Sequence, residues 1–413
     1  MSQRWSVTLA AALIGASLAA CGSPGAPGAP GGGGGGNAGG ATAGATGGAG
    51  GEPYKVGLVY SKTGALASYG GQYRQGFTAG LDFATKGTGS VGGHKVEVSE
   101  QDDTGDPAKA VAAATGLIGQ GSKIIAGSTA SGVALQVAPL AKDNKVLFIS
   151  GPAAVDGITG ANRYTFRSGR QTYQDIATAG TMVGDVKGKK VTVFAQDSAF
   201  GKANVAGVTS VLGGKGATVT PVLVPAAATD ITPFASQVKG QAPDLLFVAW
   251  AGSNATAMWQ TLGQQGIFDS TKVVTGLDIK PTHTLFGPVG DRIEFLSHFF
   301  DGAGSNAAYQ SLDKGMKAQG ATVDLFTNDG FVAAQMVVRA LTEGGGDVDK
   351  MVTSLEGWTF DGPKGSMEIR KEDHALLQPM FTAKLVKDGA GVKAQSVGTL
   401  KPSEVAPPVT PFK

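Results

Sequence analysis

The sequence predicts two α/β lobes in tandem, because the same order of segments occurs twice along the chain. From Tyr54 to Ser150, apolar segments rich in β-branched residues, typical of buried strands, alternate with segments of helical spacing. The alternation repeats from Lys189 to Asp278. Strands that alternate with helices favour a parallel sheet with helices on both faces. A chain of 413 residues is long enough for two lobes that each have a core.

In the first lobe, the strand YKVGLVY precedes the helical segment YRQGFTAGLDFATKG, which Gly87 can end. The strand HKVEVSEQ follows, and then a helix that Asp106 can cap and that has Pro107 at its first position. The strands KIIAGS and KVLFIS, separated by the helix GVALQVAPLAKDN, complete the unit.

The second lobe repeats this order with KKVTVFAQD, KANVAGVTSVLGGKG and ATVTPVLVP. A helix then begins with Thr232 and Pro233, in parallel with Asp106 and Pro107. The segments PDLLFVAWAGSN, ATAMWQTLGQQG and KVVTGLD follow. A further helix, DLFTNDGFVAAQMVVRALTEGGG, precedes a β-rich end with GSMEIR and PMFTAKLV, which must pack onto one of the lobes.

The N-terminal segment indicates export and anchoring. The apolar run VTLAAALIGASLAA is too short to span a bilayer permanently and ends at Cys21, the only cysteine. This junction resembles a bacterial lipobox, so residues 1–20 are predicted to be a lipoprotein signal peptide and Cys21 to be lipidated. An ordinary signal peptide with an incidental cysteine is the alternative. Residues 21–52, rich in Gly, Ala and Pro, are predicted to form a disordered tether on the extracytoplasmic face of a bacterial cell membrane.

Composition and motifs argue against several classes of function. The chain has 34 Lys and Arg against 32 Asp and Glu, with no basic cluster, so we expect no nucleic-acid binding. The sequence GTGSVG matches G-x-G-x-x-G, but a helix precedes it and a strand follows, the reverse of a dinucleotide site. Asp102, Asp103 and Asp106 are expected to cap a strand end and a helix rather than to hold a cation. We therefore predict no enzyme activity, no cofactor and no metal site.

Several residues at predicted strand ends could bind a ligand, since open parallel sheets bind ligands beyond these ends. The stretch Ser128–Gly132 leads into a helix, and its N–H groups and hydroxyls could bind a carboxylate, or the hydroxyls could simply cap that helix. Asp278 could accept from an ammonium group, or lie in a solvated loop. Phe200 and Trp250 could face a shared cleft or the core. Tyr69 is expected in the Gly-rich loop after the first strand, with no obvious helix or strand to pack in. An anion site in one lobe and a cation acceptor in the other would suit an amino acid.

The ordered segments VGLVYSKTGALASYGGQ, VSEQDDTGDPAKAVAAATGLI, GVALQVAPLAKDNKVLFISGPAA, YTFRSG, DSAFGKANVAG and GWTFDGPKGSMEIR carry a family resemblance. Over about residues 53–390, the chain resembles the type I periplasmic binding proteins of ABC importers, specifically the leucine/isoleucine/valine-binding family. The resemblance implies two Rossmann-like lobes around a central cleft that closes on a ligand and is presented to a membrane permease.

It also implies three crossover segments, which we place near Arg167–Arg170, Ser297–Gly302 and Gly362–Gly365. The first lobe would then comprise residues 53–168 and 302–362, and the second lobe residues 169–301 and 363–395. Residues 396–413 would form a C-terminal tail.

By position, the resemblance implies a ligand site made of Tyr69, Ser131, Pro152, Ala153, Ala154, Phe200, Trp250, Ala251, Asp278 and Phe326. Ser131 would bind the ligand carboxylate and Asp278 its ammonium group. Ala154 stands where the family usually has threonine or serine, and Ala251 where it usually has tyrosine. Both departures count against leucine, isoleucine and valine as the ligand. Arg167 and Arg170 could bind a second carboxylate or form a salt bridge at the hinge.

The sequence thus predicts a lipid-anchored, monomeric solute receptor of an ABC importer that closes two lobes on a branched-chain-like amino acid or a related small carboxylate. The expected partners are that small molecule, the ABC permease and, through the lipid on Cys21, the membrane. The alternative is a receptor of the same fold that senses a ligand without transport.

Overall fold

The structure is a computed structural model that describes residues 51–252, 254–286, 289–389 and 391–413. The predicted signal peptide, Cys21 and residues 22–50 of the predicted tether lie outside the described residues. In the described part of the chain, no helix is both long and apolar enough to cross a lipid bilayer.

The first lobe is built on a six-stranded sheet. Its strands are β1 (Tyr54–Tyr60), β2 (Ser90–Val91), β3 (His94–Asp102), β4 (Ile124–Gly127), β5 (Leu147–Ser150) and β6 (Thr165–Arg167), in the order β2-β3-β1-β4-β5-β6. Pairing is parallel except between β2 and β3. The helices α1 (Ala67–Ala84), α2 (Pro107–Gly119) and α3 (Ser131–Asn144) connect the strands. The predicted alternation of strands and helices is confirmed here.

The second lobe has the same alternation. Its elements are α4 (Thr172–Met182), β7 (Lys190–Gln196), α5 (Ala199–Val211), β8 (Thr218–Val224), α6 (Thr232–Gln241), β9 (Leu245–Ala249), α7 (Ala255–Gln264), β10 (Lys272–Gly276) and β11 (Ile293–Ser297). The strands β7 to β11 pair in parallel, and β9 lies between β7 and β10. This arrangement brings the loops after β9 and β10 side by side.

The chain then returns to the first lobe. The helices α8 (Ala307–Ala318), α9 (Thr327–Gly344) and α10 (Val348–Leu355) precede a small antiparallel sheet of β12 (Thr359–Gly362), β13 (Gly365–Ile369) and β14 (Leu376–Leu377). Phe360, Met367 and Ile369 share a buried core with Val56 and Phe77 of the first lobe. Finally, β15 (Met380–Asp388) and β16 (Gly391–Leu400) extend the second sheet, whose order is β16-β15-β11-β10-β9-β7-β8.

The chain therefore passes between the lobes after Arg167, after Ser297 and after Leu377. The third crossing differs from the prediction near Gly362–Gly365. Because β13 pairs with β12 and buries its side chains in the first core, residues 363–377 belong to the first lobe rather than the second. Residues 396–400 are likewise part of β16, not of a tail, because they pair with β15.

Local interactions explain several element boundaries. Asp106 Oδ1 accepts a hydrogen bond from the Lys109 N–H at 2.9 Å, which confirms the predicted cap of α2. The parallel with Thr232 does not extend to the cap: Thr232 is already the first residue of α6, and its N–H donates to Asp230 Oδ1 at 2.9 Å. Asp102 and Asp103 accept hydrogen bonds from backbone N–H groups of the surrounding turn, as expected for structural carboxylates.

Residues 401–413, which we call the C-terminal strap, reconnect the second lobe to the first. Val405 is buried against Met380 and Leu400 of the second lobe. Further on, the Arg370 guanidinium donates to the carbonyl oxygen of Pro407 at 2.7 Å. The Thr410 N–H donates to Asp373 at 3.0 Å, and the Lys413 N–H to the Gly160 carbonyl oxygen at 3.3 Å. The strap is thus a fourth connection between the lobes, which the sequence did not indicate.

Candidate functional site

Two adjoining cavities lie where the lobes meet. The Ser131 chamber encloses about 1080 Å³, including its mouth, and is lined by Ser131, Pro152 and Ala154 of the first lobe. The Asp278 chamber encloses about 570 Å³ and is lined by Trp250 and Asp278 of the second lobe. The residues that line both chambers are Tyr69, Arg170, Phe200, Ala251 and Phe326. The strand ends thus meet at one cleft, as parallel sheets require.

Nine of the ten predicted site residues line one or both chambers. The exception is Ala153, which lines neither chamber. Its methyl group is buried in the first-lobe core beside Val133 and Ile158. Ala153 is therefore a packing residue: its side chain points into the core, while the neighbouring Pro152 and Ala154 line the Ser131 chamber.

The loop before Ser131 is held rigidly. Gly127 has a φ of +125°, and a Cβ atom there would collide with the carbonyl oxygen of Val59. Ser128 also has a positive φ, +66°, and its hydroxyl lies 2.8 Å from that of Ser150. The Thr129 hydroxyl accepts from the Ser61 N–H at 3.1 Å. These contacts fix where α3 begins.

Ser131 is the first residue of α3, and Ala130, which precedes it, supplies no side-chain cap. The capping alternative for Ser131 is therefore wrong. Its hydroxyl makes no hydrogen bond to any described residue, and neither do the N–H groups of Ser131 and Gly132, whereas the Val133 N–H donates to the Ala130 carbonyl oxygen at 3.1 Å. Together with the positive end of the helix dipole, these donors can bind a small carboxylate.

Asp278 follows β10 and is mostly buried at the cleft. Its Oδ1 accepts from the Tyr69 hydroxyl at 2.7 Å and from the Ile279 N–H at 2.8 Å. Within the described ranges, no Lys, Arg or His nitrogen lies within 4.0 Å of this carboxylate. Burial raises the pKa of Asp278, although these hydrogen bonds oppose the rise. A carboxylate in this position can accept a hydrogen bond from a ligand cation, which would replace the missing counter-charge.

Tyr69 and Phe326 join the lobes through apolar contacts. Their rings are 4.6 Å apart, and both are buried with Leu325 of the first lobe and Ile279 of the second. The Gly252 N–H of the second lobe also donates to the Tyr69 hydroxyl at 3.2 Å. Burial, followed by the nearby Asp278, raises the pKa of Tyr69, so its hydroxyl stays protonated and donates to that carboxylate. Tyr69 lies in α1 rather than in the predicted loop, and it contributes both an aromatic ring and a polar contact to the site.

The second lobe adds two aromatic walls. Trp250 stacks on Phe194 with 5.5 Å between ring centroids, and its indole N–H donates to Asn254 at 2.9 Å. Trp250 thus serves both alternatives, since it packs on the core and also lines the Asp278 chamber. Phe200, at the start of α5, lines both chambers.

The two arginines of the first crossing differ. Arg167 is fully buried and donates to Thr159 and to the carbonyl oxygen of Val155, away from both chambers. Arg170 forms the expected hinge salt bridge with Asp175, at 3.2 Å, and it also lines both chambers. The hinge alternative is therefore confirmed for Arg170, yet its side chain remains available to the cleft.

A family model described as periplasmic binding protein matches residues 53–390. The chain belongs to the periplasmic binding protein family. Its two lobes and cleft are those of the type I architecture. The Leu/Ile/Val-binding protein BraC3 of Rhizobium johnstonii is 28% identical over 196 residues, which cover 46% of this chain and 53% of that protein. The alignment thus spans about half the length of this curated relative.

Solved structures extend the comparison over most of this periplasmic binding protein. An ABC-type branched-chain amino acid transporter from Rhodopseudomonas palustris is 33% identical, with a TM-score of 0.72, covering 87% of this chain and 100% of that chain. A solute-binding protein from R. palustris in complex with 4-hydroxybenzoate has a TM-score of 0.77 at 22% identity, covering 84% of this chain and 97% of that chain. At 22% identity, the similarity to the protein bound to 4-hydroxybenzoate shows that the two proteins share a fold.

Some lining residues of this periplasmic binding protein were not predicted. Asp175 and His298 line the Asp278 chamber beside Arg170, and Thr104 and Gly105 line the Ser131 chamber. Asp175 lies in the first turns of α4 and His298 directly follows β11, both next to interlobe crossings, and periodicity does not show that the two side chains face the cleft. The signal for Thr104 and Gly105 was their position directly after β3, a parallel strand end.

Proposed function

We propose that this protein is the solute receptor of an ABC importer and binds an amino acid, or a related small carboxylate, between its lobes. The observation that carries the proposal is the pairing of two unsatisfied sites on opposite lobes. Ser131 and the first turn of α3 offer hydrogen-bond donors, while Asp278 offers a carboxylate without a cationic partner among the described residues.

In this proposal, the ligand carboxylate binds at Ser131 and the ligand ammonium group binds Asp278. Each charged end is thereby held by a different lobe, so the ligand favours the arrangement in which the lobes are closed. A ligand shifts such an equilibrium only by its greater affinity for the closed state. No covalent chemistry is required for this function.

Two kinds of evidence bear on the ligand class: the residues that line the chambers and the ligands for which the relatives are named. Relatives are named for leucine, isoleucine and valine, and one structural neighbour is described as a branched-chain amino acid transporter. Ala154 and Ala251, however, contribute only methyl groups to the chambers. We propose that the amino acid differs from those three, because these walls lack the hydroxyl groups that the family pattern leads us to expect.

The proposed partner is the membrane permease of the importer, and the proposed form is a monomer held at the extracytoplasmic face by lipid on Cys21. Lipid attached to the cysteine would hold the exported protein at the membrane. In the producing bacterium, we expect the wild-type chain in the membrane fraction and Cys21→Ser in the soluble extracytoplasmic fraction. Equal recovery of both chains in the membrane fraction would contradict lipid anchoring.

A thermal-shift screen of the full chain tests the ligand class. The panel contains aliphatic, aromatic, acidic and amide amino acids, with their deaminated carboxylates as matched controls. Ligand at a hundred times its dissociation constant adds about 2.7 kcal/mol of stability, which raises the melting temperature measurably. We expect a shift with an amino acid and a much smaller one with its deaminated analogue. No shift with any amino acid or carboxylate would contradict the proposed function.

A further inference from the structure

We propose that the ligand side chain ends in a carboxamide, as in glutamine or asparagine, and that Arg170 and Asp175 bind this group in the Asp278 chamber. The inference rests on the proposed function and names the ligand class more narrowly. Its basis is a hydrogen-bond donor and a hydrogen-bond acceptor that stand side by side on one wall, each with an unused position.

Two hydrogen bonds fix the Arg170 guanidinium and leave its Nη2 atom without a partner among the described residues. Its Nε donates to Asp175 Oδ2 at 3.2 Å, and its Nη1 donates to the Pro152 carbonyl oxygen at 2.7 Å. The guanidinium also lies over the Phe326 ring, 5.8 Å from its centroid. Nη2 makes no hydrogen bond to any residue that the structure describes, and the side chain keeps 11% of its surface exposed. A pre-positioned donor therefore borders the cleft.

Asp175 supplies the matching acceptor. Its side chain is 8% exposed, and its Oδ1, which is closed to solvent in this arrangement, has no hydrogen-bond partner in the described part of the chain. Asp175 lines the Asp278 chamber together with Arg170. An unsatisfied buried carboxylate oxygen costs free energy until a donor reaches it. A ligand that brings such a donor is favoured for that reason.

A carboxamide satisfies both residues at once. Its oxygen accepts from Arg170 Nη2, and its NH₂ group donates to Asp175 Oδ1 once that carboxyl group turns toward the chamber. A ligand carboxylate would satisfy the arginine but would place a negative charge beside Asp175, and an aliphatic end would leave both residues unsatisfied. Sites built to hydrogen-bond a polar group reject analogues that lack it far more strongly than apolar pockets discriminate by size.

Isothermal titration calorimetry of the full chain with glutamine, asparagine, glutamate, methionine and leucine tests this inference. Methionine is the length-matched apolar analogue of glutamine, and leucine is that of asparagine. We expect glutamine or asparagine to bind at least tenfold more tightly than both its apolar analogue and glutamate. Binding of methionine, leucine or glutamate as tightly as the amides, or more tightly, would overturn the inference while leaving the proposed function standing. Failure of all five amino acids to bind would also overturn the inference, whereas the proposed function falls only if the wider thermal-shift panel gives no shift.

A double variant separates recognition from folding. Arg170→Met with Asp175→Leu replaces the ion pair by apolar side chains of similar size, a change that buried pairs often tolerate. We expect the amide preference to fall at least tenfold, so that methionine binds about as well as glutamine. The matched control is Arg163→Met with Glu356→Leu, which removes an ion pair of the same 3.2 Å separation that lines neither chamber. A double variant that keeps the wild-type preference, or a control that loses it equally, would overturn the assignment.

Discussion

The Tyr69 hydroxyl lies 2.7 Å from the carboxylate of Asp278, across the cleft between the two lobes. Tyr69 belongs to the first helix of one lobe, and Asp278 follows a central strand of the other. Their contact joins the lobes at the position where we propose that the ligand ammonium group binds. The Asp278 carboxylate thus has two roles: we propose that it binds the ligand, and its hydrogen bond with Tyr69 connects the two lobes.

Tyr69→Phe is expected to weaken amino acid binding by roughly ten- to a hundredfold, because a hydrogen bond to a charged group contributes about 1.5–3 kcal/mol. The phenyl ring retains the packing on Phe326. Calorimetric dissociation constants measure the change. Tyr164→Phe is the control, since the Tyr164 hydroxyl bonds Asp349 on the surface at 3.2 Å. Equal affinities of Tyr69→Phe and wild type would show that the interlobe bond contributes nothing to ligand capture.

Amino acid binding should weaken on acidification at a pH above the ordinary pKa of aspartate, about 3.9. Burial raises the pKa of Asp278, and only the ionised carboxylate can pair with an ammonium group. Binding therefore displaces a proton wherever Asp278 is partly protonated. Calorimetry in two buffers of different ionisation enthalpy, from pH 8 down to 4.5, should detect proton release as affinity falls. Asp278→Asn should abolish this proton release, and its persistence in the variant would assign it to another group.

His374 should make the fold sensitive to mild acid. Its ring stacks on Phe166 at 3.7 Å between centroids, and burial lowers the pKa to about 4. In the unfolded chain the pKa is about 6.5, so between these values the unfolded state binds more protons. The free energy of unfolding should therefore decrease as pH falls from 6.5 to 4, by roughly 3 kcal/mol from this group.

His374→Asn isolates that contribution, because asparagine tolerates the positive φ of +61° at this position. Whatever stability the variant loses at pH 7, its deficit relative to wild type should shrink as pH falls to 4. Urea unfolding at several pH values measures the difference. A deficit that is constant with pH would mean that His374 titrates alike in the folded and unfolded states.

The C-terminal strap should contribute to stability although it lies far from the cleft chambers. A chain that ends at Ala406 loses the hydrogen bonds from Arg370, Thr410 and Lys413, and its free energy of unfolding should fall by about 2–4 kcal/mol. Removing Lys413 alone should cost no more than about 1 kcal/mol. Unchanged stability of the chain that ends at Ala406 would show that the strap is only loosely held.

The alternation of strands and helices was predictable because it depends on local patterns. The capping of α2 by Asp106 was predictable for the same reason. Ser131 and Asp278 could be chosen because parallel strands end at one edge of a sheet, which limits where a ligand can bind. The sequence patterns could not assign β13 to a lobe, because the assignment depends on which of the two cores buries Met367 and Ile369.

Part of the crossing region was hidden. Arg170 was a candidate and lies beside Asp175 because α4 begins between them, but no spacing in the sequence expresses that His298, from the second crossing, joins them in the Asp278 chamber. Ala153 shows what a family resemblance cannot predict. A resemblance can place a loop at the cleft without stating which of its side chains turns inward, and the Ala153 methyl group packs in the core.

The most direct test of amino acid capture compares one amino acid with its deaminated analogue, in the wild type and in Asp278→Asn. The amino acid is the one that raises the melting temperature most in the screen, and calorimetry gives all four dissociation constants. We predict that the wild type prefers the amino acid by at least a hundredfold and that Asp278→Asn reduces this preference to below tenfold. Equal weakening of both ligands by Asp278→Asn, with the preference unchanged, would contradict the claim that Asp278 binds the ammonium group.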